Sequence, residues 1–94
     1  MAVILEQVMP EGVSLEMLDA VTDEMNVDQD PPAGLLFHVH FEQDGKMRIV
    51  DVWDSQETFQ EFGKTLMPIL AKNGIPEPGM KILPTHNVVI PPPS

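Results

Sequence analysis

Asp44-Gly45 stands between two runs of strand-forming residues, Leu35 to Gln43 and Lys46 to Asp54. An Asp-Gly pair makes the two-residue turn in which both central positions take positive φ, so the two runs pair antiparallel in a fixed register. Gln43 then opposes Lys46, Phe41 opposes Arg48, Val39 opposes Val50 and Phe37 opposes Val52. These side chains share one face, nearly all apolar, and it is assigned to a core covered by helices. On the other face Glu42 opposes Met47, His40 opposes Ile49, His38 opposes Asp51 and Leu36 opposes Trp53. That face holds more large apolar groups than a water-facing sheet usually carries, so the same face of a second copy is its expected cover.

The remaining elements follow from spacing. Ala2 to Met9 is apolar and β-branched and reads as a first strand, ended by Pro10, Glu11 and Gly12. Ser14 is a good N-cap for a helix over 14–25, with Leu15, Leu18, Val21 and Met25 on one side and Glu16, Asp19, Asp23 and Glu24 on the other. The prolines and Gly34 make 26–34 a loop. Asp54 or Ser55 caps a second helix, with Asp54 and Glu57 at capping-box spacing. Its apolar stripe is Phe59, Phe62, Leu66 and Ile69 or Leu70, and Pro68 predicts a kink or local break before Asn73-Gly74 closes it. Met80 to Ile90 reads as a last strand, interrupted by Pro84, with a flexible tail over 91–94. The order β-α-β-β-α-β with right-handed crossovers is a ferredoxin-like α+β fold: a four-stranded antiparallel sheet, strands 1 and 3 central, both helices on one face.

At 94 residues the chain is expected to be one domain over 1–94, small enough that self-association is a common source of added stability. Fifteen acidic residues against five basic ones give a net charge of -10, which argues against nucleic acid and anionic membranes as partners. With no cysteine there is neither a disulfide nor a thiolate nucleophile. No run is long enough to span a membrane and the N-terminus lacks a leader pattern, so a cytoplasmic location is expected. Phosphate loops, dinucleotide fingerprints, serine elbows and zinc patterns are all missing. Arg48 is the sole guanidinium, a poor basis for binding a polyanion.

Chemistry concentrates on the mixed face. His38 beside Asp51 is the arrangement of a base and the carboxylate that orients it, with Trp53 one pair further along as a stacking wall. The same residues also suit a satisfied polar pair within a dimer interface. His38 and His40 are two apart on one strand face and would chelate a metal if Asp51 or Glu42 joined them. That pattern is common on strands, so no metal is assigned. His86 in the last strand, and Phe59 and Phe62 on the second helix, are candidate pocket residues. Phe59 and Phe62 serve equally as ordinary core. Seven methionines supply adaptable wall material.

The order of elements, together with Gly34-Leu-Leu-Phe-His38, Ile49-Val-Asp-Val-Trp-Asp54, Phe59 to Phe62 and His86-Asn87, resembles the small dimeric α/β-barrel proteins. That superfamily includes the antibiotic-biosynthesis monooxygenases. The resemblance covers nearly the whole chain and implies a homodimer with two sheets face to face and helices outside. It does not imply one activity, because relatives include cofactor-free oxygenases, haem-degrading enzymes, isomerases and polyketide cyclases. The haem-degrading relatives share an Asn on strand 1, a Trp near the end of strand 3 and a His on helix 2. Here Trp53 matches, Gln7 stands on strand 1, and helix 2 has no histidine. Tyrosine is absent, which removes tyrosine-dependent chemistry. The expectation is a monooxygenase- or isomerase-like enzyme, needing no cofactor, for a small apolar or aromatic molecule. His38 and Asp51 would be catalytic, and Trp53, His40, His86, Phe59 and Phe62 would bind substrate. A non-catalytic ligand-binding protein and a purely structural dimer are the alternatives.

Overall fold

A computed structural model describes residues 1–27 and 29–90. Its elements are β1 (Val3–Val8), α1 (Leu15–Met25), β2 (Leu35–Gln43), β3 (Lys46–Trp53), α2 (Gln56–Lys72) and β4 (Gly79–Pro84). The tail expected over 91–94 lies outside the described residues. The strands form one sheet in the order β2-β3-β1-β4, antiparallel throughout. The topology is therefore the expected ferredoxin-like one, with β1 and β3 central. Among the described residues no helix is long and apolar enough to cross a membrane.

Asp44 and Gly45 take φ values of 55° and 78°, as the hairpin turn requires. The register follows, from Gln43 opposite Lys46 to Phe37 opposite Val52, with His38 opposite Asp51. One pair differs. An irregularity between Leu35 and Phe37 puts Leu35, rather than Leu36, opposite Trp53.

The two faces are the reverse of the expected assignment. Helices α1 and α2 cover the face of Met47, Ile49, Asp51 and Trp53, which β1 extends with Leu5 and Gln7. Met9, Met47, Leu18, Val21 and Leu70 pack in one cluster, and Leu5, Trp53 and Phe59 in another. The open face carries Phe37, Val39, Phe41, Val50 and Val52. The reason is that both faces are apolar, so hydrophobicity could not choose between them. Side-chain bulk and polar pairing did. Trp53 fits Phe59 and Phe62 at ring-centroid distances of 5.6 and 5.1 Å, and the polar residues beside it satisfy one another.

Both helices begin on a serine. Ser14 accepts from the Met17 N–H and Ser55 from the Thr58 N–H, each at 3.2 Å. Ser55 is thus the cap of α2, while Asp54 accepts the Thr58 hydroxyl at 2.6 Å. The break expected at Pro68 does not occur, because α2 runs through it to Lys72. Lys64 and Pro68 are exposed, so water can take the carbonyl that the proline leaves without a donor. The helix ends meet where Lys72 and Asn73 donate to Glu24, and the Lys72 contact leads in holding its carboxyl below the usual range.

β4 is shorter than expected. It stops at Pro84, and the Thr85 N–H and hydroxyl both donate to the Ala2 carbonyl, at 3.3 and 2.7 Å. β1 begins at Val3, so no strand remains to pair with 86–90. His86 therefore lies beyond the sheet and is exposed.

Gly34 joins the loop to β2 at φ 88°, and its carbonyl accepts the Asp54 N–H at 2.8 Å. A Cβ there would lie 2.5 Å from the Thr58 hydroxyl oxygen and 2.7 Å from an Asp54 oxygen. Strain and collision act together, so Gly34→Ala is expected to lower stability by about 1–3 kcal/mol in urea unfolding. Gly12→Ala is the control that isolates backbone strain, since its added Cβ would meet nothing within 4 Å. Equal losses in the two variants would show that the collision contributes nothing.

Candidate functional site

The helix-covered face does not close completely. Between it and the helices lies a small, largely apolar cavity of about 60 Å³. Its sheet side includes Gln7, His38, His40, Ile49, Asp51 and Trp53. Leu18, Val21 and Met25 from α1 and Phe62, Leu66 and Leu70 from α2 form the apolar walls.

Strand alternation puts Asp51 and Trp53 on one side of β3, and the hairpin register brings His38 opposite Asp51. Asp51 is only 7 % exposed. The His38 Nδ1–H donates to its Oδ1 at 2.6 Å, and the Trp53 Nε1–H donates to its Oδ2 at 3.2 Å. Both carboxylate oxygens are thus engaged, which offsets the cost of placing a charge under the helices. The bond to Nδ1 also fixes the tautomer and tilt of His38.

The pairing continues outward. His38 Nε2 lies 3.1 Å from His40 Nδ1, and His40 Nε2 lies 3.0 Å from Asp19 Oδ1 on α1. All four imidazole nitrogens are occupied. Among the described residues no group of three or more His, Asp or Glu is arranged to hold a metal ion.

His38, His40, Asp51, Trp53 and Phe62 therefore meet at one cavity. Trp53 is fully buried, its ring packed between Phe59 and Phe62, so it serves as a donor to Asp51 more than as an open stacking face. Phe59 supports Trp53 from the core and is not among the cavity residues. His86 is not brought to the cavity at all.

Two residues are present that sequence reasoning did not place in the site. Gln7 is 4 % exposed and lines the cavity. Its signal was available: a glutamine in a strand of apolar residues, on the same face as Leu5. Asp19 gave no signal, because it reads as one more acid on a solvated helix face.

No protein-family model matches the sequence, and no curated protein matches it significantly. Solved structures do match in fold. A proposed antibiotic biosynthesis monooxygenase from Deinococcus radiodurans superposes with a TM-score of 0.61 at 13% identity, over 96% of this chain and 97% of that one. SnoaB, a cofactor-independent oxygenase from Streptomyces nogalater, gives 0.64 at 10% identity, over 94% and 95%. A variant of MhuD with two manganese protoporphyrin IX molecules bound per active site gives 0.59 at 17% identity, over 97% and 100%. What the chain shares with these structures is the ferredoxin-like fold. One of these neighbours is described as a cofactor-independent oxygenase and another holds a metalloporphyrin.

Asp51→Ala would leave the His38 Nδ1–H and Trp53 Nε1–H without their acceptor in a buried setting. The expected loss is about 2–6 kcal/mol, from two stranded donors at roughly 1–3 kcal/mol each. Chemical denaturation measures it, with Trp53 fluorescence reporting the same transition. A loss below the size of one ordinary hydrogen bond would show that the Asp51 contacts do not form.

Proposed function

We propose that the protein is an enzyme of the cofactor-independent oxygenase or isomerase kind, acting on a small apolar or aromatic molecule held in the cavity between helices and sheet. The observation that carries this reading is the Asp51–His38 pair, joined at 2.6 Å and set in an otherwise apolar cavity. Such a pair takes a proton from an acidic O–H or C–H of a bound substrate. The resulting anion then reacts onward, with dioxygen in an oxygenase or by reprotonation at another carbon in an isomerase. Asp51 holds His38 through Nδ1, and Nε2 takes the proton when a bound substrate displaces its contact with His40. The amide of Gln7 at the cavity wall suits a carbonyl or hydroxyl of the substrate, and the aliphatic walls and Phe62 suit its apolar body.

A cofactor-independent oxygenase among the structural neighbours supports this reading at the level of fold. Haem is a poorer fit to these residues. The sequence of α2 has no histidine, and the nitrogens of His38 and His40 are already committed to hydrogen bonds.

The test is turnover of hydroxylated naphthalenes and anthracenes, with dioxygen uptake and product formation both followed. His38→Gln is expected to lower kcat by about 100-fold or more, the usual scale for a lost acid–base group. Tight binding by the native protein with no turnover would instead favour a non-catalytic ligand-binding protein.

The protein is further proposed to be a homodimer that buries the open sheet face. Phe37 is 55 % exposed there, with Val39 and Leu83 also exposed on the same side. Arg48 on that face has a buried Nε with no acceptor among the described residues, which a partner could supply. Sedimentation at micromolar concentration should give twice the monomer mass, and Phe37→Asp should return it to the monomer with the fold intact. A native protein that sediments as a monomer would remove this proposal.

A further inference from the structure

The chain of contacts from Asp51 to Asp19 has a property that hydrogen counting reveals. Three hydrogen bonds link four groups: Asp51 to His38 at 2.6 Å, His38 to His40 at 3.1 Å, and His40 to Asp19 at 3.0 Å. Each bond needs one hydrogen. Two neutral imidazoles flanked by two ionised carboxylates supply only two. Making all three bonds at once therefore requires one proton more than the neutral-imidazole form supplies.

That proton has two equivalent homes. With His38 neutral, His40 carries both ring hydrogens and donates to His38 Nε2 and to Asp19. With His40 neutral, His38 carries both and donates to Asp51 and to His40 Nδ1. A single transfer across the His38–His40 contact interconverts these states without breaking the chain. The titratable groups facing the pair are Asp51 from β3 and Asp19 from α1. Burial falls along the way. The side chain of Asp51 is 9 % exposed, those of His38 and His40 about a quarter, and that of Asp19 is 63 % exposed.

We propose that Asp51, His38, His40 and Asp19 form a proton relay, with Asp19 as its solvent terminal, through which the cavity exchanges protons with bulk water. This assigns His40 and Asp19 as positioning and conducting residues that need not touch the substrate. It rests on the reading of His38 as the shuttle of the site, but its test needs no substrate, so the two can fail separately. Asp51, at the inner end, is the least exposed of the four, so a protein-borne route links it to the surface.

The experiment is nitrogen-15 and proton NMR of the full chain labelled at histidine, near neutral pH. The expected result is three ring N–H hydrogens for the His38–His40 pair, with the nitrogens of their shared contact in fast exchange between protonated and bare states. Asp19→Asn keeps a side-chain acceptor for His40 but removes the ionisable terminal. It is expected to slow solvent exchange of the shared hydrogen by at least about tenfold, as is His40→Gln for the remaining His38 N–H. Circular dichroism and the thermal midpoint check that each variant is folded. His38 and His40 found as two neutral rings, each with one hydrogen and its own tautomer, would overturn the proposal. So would exchange unchanged in folded Asp19→Asn, since water would then reach the pair directly.

Discussion

Asp51 is a carboxylate beneath two helices, and its two hydrogen bonds make that position tolerable. A buried charge without partners costs several kcal/mol, more than a domain this small can readily spare. Trp53 and His38 each give it a donor from a neighbouring sheet position. In return the carboxylate orients both rings. Trp53 then presents its faces to Phe59 and Phe62, which seats α2. His38 meets His40, and His40 meets Asp19, which ties α1 to the edge strand β2. Contacts that reach both helices thus trace back to one side chain.

Much of the architecture was legible because local chemistry was decisive. Asp44-Gly45 set a turn and therefore a register, Ser14 opened a helix, and Asn73-Gly74 closed one. What failed was the choice between faces. Phe37, Val39, Phe41, Val50 and Val52 make the more uniformly apolar side, and a simple hydrophobicity argument buries it under helices. The helices chose the face with Trp53 because aromatic bulk from α2 matched it and because its polar groups form a closed set. Pairing energy of that kind is invisible until partners are known.

The candidate site was legible to the same extent as the register. His38 opposite Asp51 follows from the turn alone. Asp19 belongs to the set only because α1 crosses β2, a tertiary fact with no trace in local sequence. His86 failed for a geometric reason, since β1 is too short to pair with anything beyond Thr85.

β3 has a divided character that follows from its alternation. Asp51 and Trp53 point under the helices, while Val50 and Val52 point to the open side. The two surfaces share a backbone but no side chains. Substitutions that reshape the cavity can accumulate on one set of positions while the other set is left as it was. Such a strand lets the cavity lining and the open face drift separately. By the same logic, inserting one residue in β3 would exchange the two sets downstream and damage both at once.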